Sequence, residues 1–365
     1  MRILIYSSRP HDQQTLVARL VQAGHMVTTT ALRLEPATLG EAMGCDAVCT
    51  FVCDEVSAAV LQGLHDQGVK LLLQRAAGVD NIDLVAARSL GIAVARVPDY
   101  SPHAVAEHAV ALLLSLNRHV HQAYQRMQRA DFSLDGLLGF DLYGKTAGII
   151  GMGRIGQCFA AIMQGFGCHV LACDPAIAPE QRMAGVRYEA LETVWAESDV
   201  LSLHCPLRPD THHLVNADLL KRTRPHALLV NTSRGAVVDT AAVLATLRRG
   251  GLGGYAADVY EGEACVFFRN CSDCGYDDSL LKDLLHEPRV LLTPHQAFFT
   301  EEALANFGDA ALAMRAPLWV AQRPRRLVCD VEGVQNEARI SRCSAVKSLA
   351  QPFSRTTPAN FRGAW

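Results

Sequence analysis

The stretch from Lys145 to Pro175 constrains the fold of this chain more than any other part of the sequence. A short apolar run leads into the glycine motif GMGRIG at residues 151–156, a helix-like stretch follows, and a second apolar run ends at Asp174. A glycine motif of this spacing is weak evidence on its own. Here, however, it joins a strand-like run to a helix-like one, and a carboxylate follows about 20 residues further on. This order is typical of a dinucleotide-binding unit in an open parallel sheet.

Each glycine of the motif has its own expected role. Gly151 permits the tight turn, Gly153 lets the backbone approach a pyrophosphate, and Gly156 lets the helix pack on the strand, so that the first N–H groups of the helix face the phosphates. Asp174 is expected to accept a hydrogen bond from the adenosine ribose and to repel a 2′-phosphate, which predicts NAD rather than NADP as the cofactor. The alternative is a turn between two core strands with Asp174 at the surface.

The composition excludes several other kinds of protein. The chain has 365 residues, 50% of them hydrophobic and 19% charged, which suits a globular protein with two domains. A net charge of -3 argues against a nucleic-acid surface, no apolar run reaches the roughly 18 residues of a membrane span, and the apolar start is too short for a secretory signal. We therefore expect a cytoplasmic protein with a small-molecule partner, which binds neither nucleic acid nor membrane. Most of the twelve cysteines stand singly, so no disulfide framework is expected.

The first hundred residues alternate short apolar runs with helical periods, which predicts a parallel sheet with helices on both faces. The expected strands lie near 2–6, 26–30, 46–51 and 69–73, and the expected helices near 11–23, 56–66 and 84–89. The run from Gln74 to Asn81 directly follows a strand, where open α/β sheets place ligand loops. Its backbone N–H groups, together with Arg75, can hold a carboxylate; a plain glycine turn is an equal alternative.

A proline-rich segment at 97–102 is expected to form a hinge, with Ser101 as the cap and Pro102 as the first residue of a helix. Asp239 is likewise expected to cap a later helix, which ends at Gly250 and Gly251. The pattern predicts one long helix over 102–128. Because it is apolar almost all round between Ala104 and Leu116, it must be buried in this chain or against another subunit.

Three polar side chains in the second half follow expected strands and suit hydride transfer. Such a reaction needs an acid/base group and a cation that holds the substrate. Arg234 can bind a carboxylate with both ends of its planar group, His295 can exchange a proton near pH 7, and Glu263 would favour the protonated histidine. With Asp258, they would lie along one sheet edge beside the cofactor. Each has an ordinary alternative: Arg234 as the partner of a phosphate or carboxylate beside a helix, Glu263 as a solvated loop acid, and His295 as one of 14 histidines without a special role.

Two segments carry weaker patterns. Cys265, Cys271 and Cys274 include a CxxC pair, but a second pair and nearby histidines at zinc-site spacing are missing, so we expect no metal and a surface excursion. A closing helix is expected at 301–320. Beyond it, residues 329–365 lose periodicity and gain Ser, Arg, Pro and Thr, so a disordered, dispensable tail is expected.

Matched segments within residues 1–328 together resemble the D-2-hydroxyacid dehydrogenase family, most closely its fermentative NAD-dependent D-lactate dehydrogenases. They are RAAGVDN at 75–81, VAEHA at 105–109, YGKTAG at 143–148, GMGRIG at 151–156, SLHCPL at 202–207, NTSRGA at 231–236, DVYE at 258–261 and HQAF at 295–298. The resemblance implies an α/β fold of two doubly wound domains with parallel sheets, Rossmann and flavodoxin-like. It implies an NAD-binding domain at 101–295, inserted into a substrate domain made of 1–100 and 296–328.

The resemblance also implies a reaction, the reversible reduction of pyruvate to D-lactate. Arg234 would hold the substrate carboxylate, Glu263 would be the partner of His295, and His295 would donate the proton. The substrate-binding residues it implies are Arg75, Ala77, Gly78, Tyr100, Arg234 and Phe298. The cofactor-binding residues are Gly151, Gly153, Arg154, Ile155, Gly156, Asp174, Cys205, Pro206, Thr232, Ser233, Arg234 and Asp258.

The family further suggests a homodimer through the helix at 102–128. Two alternative functions remain open at this point. One is a dehydrogenase of another D-2-hydroxy acid, because fold and catalytic residues are shared across the family. The other is a non-catalytic NAD-sensing protein of the same fold, like the corepressors that resemble these enzymes.

Overall fold

The structure, a computed structural model, describes residues 1–97 and 101–306, and these residues form two parallel sheets. The first sheet has the order β2-β1-β3-β4-β5 and consists of β1 (Arg2–Ile5), β2 (Met26–Thr29), β3 (Ala47–Thr50), β4 (Leu71–Gln74) and β5 (Ala93–Arg96). The second has the order β12-β11-β10-β9-β6-β7-β8 and consists of β6 (Thr146–Ile150), β7 (His169–Cys173), β8 (Val186–Tyr188), β9 (Val200–Leu203), β10 (Leu228–Asn231), β11 (Gly254–Ala257) and β12 (Val290–Leu292). The predicted α/β class with two parallel sheets is confirmed.

Helices cover both faces of each sheet. They are α1 (Pro10–Asp12), α2 (Ala18–Gln22), α3 (Ala58–Asp66), α4 (Leu84–Ser89), α5 (Pro102–Asn117), α6 (Val120–Met127), α7 (Arg154–Gly165), α8 (Leu191–Glu197), α9 (Ala217–Leu220), α10 (Thr240–Arg248) and α11 (Ser279–His286). A π-helical turn at Gln13–Val17 joins α1 to α2, and short 3-10 helices occupy Pro36–Ala42, Pro179–Gln181, Gly235–Val237 and Glu263–Cys265. None of the described helices is long and apolar enough to cross a bilayer.

The buried strands explain why the sheets could be expected from the sequence. All four residues of β3, β4, β9, β10 and β11 are buried, as is typical of parallel strands covered on both faces. The capping predictions at Ser101 and Asp239 are confirmed, because these side chains accept hydrogen bonds from the N–H groups of Ala104 and Ala242. Strand β5 was not predicted, since this edge strand is short and only partly buried.

The prediction of one helix over 102–128 is wrong. Helix α5 ends at Asn117, whose side-chain amide donates to the carbonyl oxygen of Phe140 at 2.8 Å and accepts from its N–H at 3.1 Å. His119 then has a left-handed backbone with φ of 50°, and α6 starts after it. Helix α5 packs on α7, β10 and β11 of the same chain, so its burial does not need another subunit.

Some predictions fall at the edge of what the structure describes. Tyr100, most of the closing helix at 301–320 and the tail at 329–365 lie outside the described residues, although 301–306 are helical. The predicted domain boundaries at 100, 295 and 328 stay predictions.

Candidate active site

The glycine turn lies where the strand order of the second sheet reverses. Strands β6 and β9 are neighbours, and the loops that follow them leave the same sheet edge, which is where open α/β sheets bind ligands. Gly151 has a φ of 95°, and a Cβ atom there would stand 2.7 Å from the backbone of His204 and Cys205. Only glycine therefore allows the two loops to meet.

The other two glycines also have the geometry that a dinucleotide site needs. Gly153 is the cap of α7, and nothing lies within 4 Å of the place where its Cβ would stand. A Cβ on Gly156 would be 2.1 Å from the carbonyl oxygen of Gly151, so the helix can approach the turn only with glycine at this position. The helix start is thus open to a phosphate group.

The carboxylate of Asp174 is fixed beside this turn. One oxygen accepts from the N–H of Met152 at 2.7 Å, and the other accepts from the N–H of Ala176 at 2.9 Å. Each oxygen keeps a lone pair for a ribose hydroxyl. Arg154 is exposed on the first turn of α7.

A cavity of about 320 Å³ separates the two sheets at this edge. The predicted site residues that line it are Ala77, Gly78, Ile155, Cys205, Pro206, Thr232, Ser233, Arg234, Asp258, His295 and Phe298. The hydroxyl of Thr232 is buried and has no hydrogen-bond partner in the part of the chain that the structure describes. A buried hydroxyl without a partner is costly, so a bound ligand would satisfy it. These residues fit a dinucleotide.

His295 and Glu263 form a hydrogen-bonded pair at the cavity. The Nδ1 atom of His295 lies 2.8 Å from Oε1 of Glu263, and the histidine side chain is 14% exposed. The second oxygen of Glu263 accepts from the N–H of Tyr260 at 2.9 Å, which fixes the carboxylate. Because Nδ1 is bonded to the carboxylate, Nε2 is the nitrogen that remains for proton exchange with a ligand.

The guanidinium group of Arg234 lies against the loop after β4. Its Nε donates to Oδ2 of Asp80 at 2.5 Å, and its Nη1 donates to the carbonyl oxygen of Ser233 at 2.8 Å. A Cβ on Gly78 would stand 1.8 Å from Nη2, so glycine at 78 makes room for the arginine. Nη2 therefore lies next to the backbone of the loop that was expected to bind a carboxylate.

Asp80 was not predicted as a site residue. It belongs to the matched segment 75–81, but its partner Arg234 is 154 residues away, and no local pattern indicates the pair. Its place in that matched segment and in a loop directly after a strand were the available signals.

The guanidinium group of Arg75 is buried and forms its hydrogen bonds within the protein. The residue is 7% exposed, its Nη1 donates to Asp12 at 2.7 Å, and its Nη2 donates to the carbonyl oxygens of Tyr6 and Ser7. The guanidinium carbon also lies 4.8 Å from the centre of the Phe51 ring. Both terminal nitrogens are thus bonded within the protein, and its predicted contact with the substrate stays a prediction.

Asp258 holds the loop that carries His295. One carboxylate oxygen accepts from the hydroxyl of Thr293 at 2.6 Å and the N–H of Gln296 at 2.8 Å, and the other accepts from the N–H of Ala297 at 2.8 Å. The carboxylate is 1% exposed. Its observed contacts therefore position the histidine loop, whereas the predicted contact with the cofactor stays a prediction.

His204 is a further cavity residue that sequence reasoning missed. Burial lowers the pKa of its imidazole to about 3, so the ring is neutral. Its Nε2 lies 2.9 Å from the hydroxyl of Ser202, and its Nδ1 has no hydrogen-bond partner among the described residues. Its place in the matched segment SLHCPL was the available signal.

Comparisons with known proteins agree with this geometry. A family model described as D-isomer specific 2-hydroxyacid dehydrogenase, NAD binding domain, matches residues 110–297. The chain is 46% identical over 314 residues to a 2-hydroxyacid dehydrogenase homolog of Zymomonas mobilis, which covers 86% of this chain and 95% of that protein. It is 43% identical over 312 residues to D-lactate dehydrogenase of Escherichia coli, with coverage of 86% and 95%. The chain belongs to the D-isomer specific 2-hydroxyacid dehydrogenase family.

The dehydrogenase is also similar to a solved structure, that of the pyruvate reductase of Chlamydomonas reinhardtii. The TM-score is 0.79 at 38% identity, and the match covers 86% of this chain and 94% of the other. The predicted family, the NAD cofactor and the assignment as an oxidoreductase are confirmed.

Proposed function

We propose that the dehydrogenase reduces pyruvate reversibly to D-lactate, with His295 as the proton donor. The observation that carries the proposal is the Glu263–His295 pair, with a 2.8 Å contact, on a cavity that Arg234 and Gly78 also line. The names of the similar Escherichia coli and Chlamydomonas reinhardtii proteins support the choice of substrate.

Different residues of the cavity would have different roles in the reaction. NAD, when bound in its reduced form, supplies the hydride, and the glycine turn at 151–156, Asp174 and Thr232 would hold it. Nη2 of Arg234 and the N–H groups of the loop at 77–78 would bind the substrate carboxylate. Nε2 of His295 would donate its proton to the 2-oxo oxygen, and the carboxylate of Glu263 would stabilise the imidazolium before the transfer.

A second candidate substrate is a 2-oxo acid with a larger apolar side chain. A further cavity of about 150 Å³ adjoins His295. Its lining includes the charged side chains of Arg9, Asp12 and Arg75, but most of its surface is apolar and comes in part from the rings of Phe51, Phe268, Phe298 and Phe299. Such a lining favours an apolar group on the substrate.

A substrate panel tests both candidates. NADH oxidation is measured with pyruvate, 2-oxoisocaproate and phenylpyruvate, and a stereospecific assay identifies the product. Pyruvate should give the highest kcat/KM and D-lactate. Little activity with pyruvate and good turnover of a bulkier acid would reject the lactate assignment and keep the family.

We also propose a homodimer, a cytoplasmic location and the domain division at residues 100, 295 and 328. The segment from α6 to β6 supports the dimer, because it exposes the apolar side chains of Val120, Tyr124, Met127, Phe132, Leu134, Leu138 and Tyr143. The free thiols among the described cysteines suit a reducing compartment. Light scattering after size-exclusion chromatography measures the oligomeric state.

A further inference from the structure

Two arginines from the half of the molecule that contains the first sheet bind a short segment of the half that contains the second sheet. This segment comprises residues 263–268, starts with the 3-10 helix Glu263–Cys265 and lies between β11 and α11. We call it the glutamate segment because it supplies the carboxylate that bonds His295. Its own turn is closed by hydrogen bonds from the N–H groups of Val266 and Phe267 to the carbonyl oxygen of Glu263 at 3.0 and 2.8 Å.

Arg33 binds this segment with both ends of its guanidinium group. It lies between β2 and the 3-10 helix at Pro36–Ala42, in the first sheet's half. Its Nη1 donates to the carbonyl oxygen of Ala264, and its Nη2 donates to that of Phe267 at 2.8 Å. Arg9, which follows β1, donates to the carbonyl oxygen of Phe268. Hydrogen bonds from a charged donor are stronger than those between neutral groups.

The residue at the end of the segment links these contacts to the histidine. Phe268 has a left-handed backbone with φ of 61°, a conformation that a bulky residue adopts only when its surroundings hold it. Its ring lies 5.1 Å from that of Phe51 in the first half and 5.7 Å from that of His295 in the second. The segment is thus fixed from the first half at its turn and at its end.

We infer that Arg33 is a positioning residue that places Glu263 against His295 when the two halves of the molecule meet. Arg33 belongs to the first half, and the carbonyl groups that accept its hydrogen bonds belong to the second. Any separation of the two halves here must therefore break both hydrogen bonds. The turn that they brace carries the Glu263 side chain. Contact between the halves therefore completes the Glu263–His295 pair. The same movement excludes water from the cavity and fixes the proton donor.

The inference rests on the proposed roles of Glu263 and His295, and its test separates the two. Arg33→Ala should lower kcat for pyruvate reduction by about tenfold and leave the KM for NADH unchanged, because only the glutamate segment loses its support. Arg88→Ala is the matched control, since Arg88 is an exposed arginine on α4 of the same half. Arg33→Lys, which keeps the charge but not the fork, should lie between wild type and Arg33→Ala.

A double-mutant cycle asks whether Arg33 acts through Glu263. In a Glu263→Gln background, Arg33→Ala should change kcat by less than about twofold, because the pair that it supports is already weakened. An Arg33→Ala protein with the kcat of Arg88→Ala, or a tenfold loss that persists in the Glu263→Gln background, would overturn the inference.

Hydrogen exchange supplies a readout that does not need turnover. The backbone amides of residues 260–268 should exchange faster in Arg33→Ala than in Arg88→Ala, while peptides from α7 should be unchanged. If the wild-type protein turned over no 2-oxo acid, the proposed function would fail, and the exchange data would still decide the role of Arg33: unchanged protection of 260–268 refutes it and reduced protection supports it.

Discussion

The glycine turn on the cofactor side of the cavity is fixed by a contact between residues close together in the sequence, whereas Arg234 and the glutamate segment on the substrate side are held by contacts between residues far apart. The carboxylate of Asp174 reaches the glycine turn across 22 residues, through the N–H of Met152. On the substrate side, Arg234 reaches Asp80 across 154 residues, and Arg33 reaches Ala264 across 231. The first set of contacts lies within one strand-turn-helix-strand unit, and the second exists only where the two halves meet. The comparison predicts that changes on the substrate side alter turnover of the 2-oxo acid, whereas changes on the cofactor side alter cofactor choice.

The largest effect is expected at His295. His295→Ala removes the proposed proton donor and should lower kcat by about two to four orders of magnitude, with NADH binding nearly unchanged. His65→Ala is the matched control, because His65 is exposed on α3. Steady-state kinetics and a fluorescence titration with NADH measure the two quantities. If His295→Ala weakened NADH binding as much as it lowered kcat, the division between the two sides would not hold.

The next largest effect is expected where Arg234 meets Gly78. Gly78→Ala places a Cβ 1.8 Å from the present position of Nη2, so the guanidinium group must move. The KM for pyruvate should rise by about 10- to 100-fold, while the KM for NADH should stay within about twofold. Gly24→Ala is unsuitable as a control because φ is positive there, but Gly165→Ala meets nothing within 4 Å. Equal KM values for pyruvate in both variants would show that Arg234 does not hold the substrate.

On the cofactor side, Asp174 should decide between NADH and NADPH. Asp174→Ala should reduce the preference for NADH by about tenfold, because the charge that repels a 2′-phosphate and the acceptor for the ribose are both lost. Asp174→Asn removes the charge and keeps an acceptor for the N–H of Met152, so it separates repulsion from disturbance of the turn. The ratio of kcat/KM for the two cofactors is the measurement. Neither variant should change the KM for pyruvate by more than about twofold, and an unchanged cofactor ratio would contradict the role of Asp174.

The smallest effect is expected in the pH dependence of stability, which reports whether water reaches the buried ring of His204. Burial lowers the pKa of His204 to about 3, below its ordinary value of 6.5. Between these two pH values the imidazole is protonated in the unfolded chain and neutral in the folded chain. The resulting stability is present above pH 6.5 and is lost as the pH falls from 6.5 towards 3. When the pH is lowered from 7.5 to 5.5, the free energy of unfolding should therefore fall by about 1 kcal/mol less in His204→Asn than in wild type. Urea unfolding at both pH values checks this, and an equal loss in both proteins would mean that the ring is hydrated.

The same difference between the two sides explains what could be predicted from the sequence. The glycine turn, the caps at Ser101 and Asp239 and the buried strands depend on backbone conformation and short-range periodicity, and the structure has all of them. The ion pair between Asp80 and Arg234 has no such signal, because its partners meet only through the packing of two halves. The break after Asn117 was missed for a related reason. Its cause is the pair of hydrogen bonds between Asn117 and Phe140, which lies in a loop 23 residues further on. The sequence at the break itself, residues 117–120, contains neither proline nor glycine.

The hydrogen bonds around Asp258 have a mechanical consequence. A loop that is bonded at Thr293, Gln296 and Ala297 to one buried carboxylate moves as part of the sheet that carries this carboxylate. His295 lies inside that loop, so it keeps its distance from the glycine turn however the first sheet rotates. His295 and the glycine turn therefore belong to one rigid unit, held together within the second sheet and independent of the first.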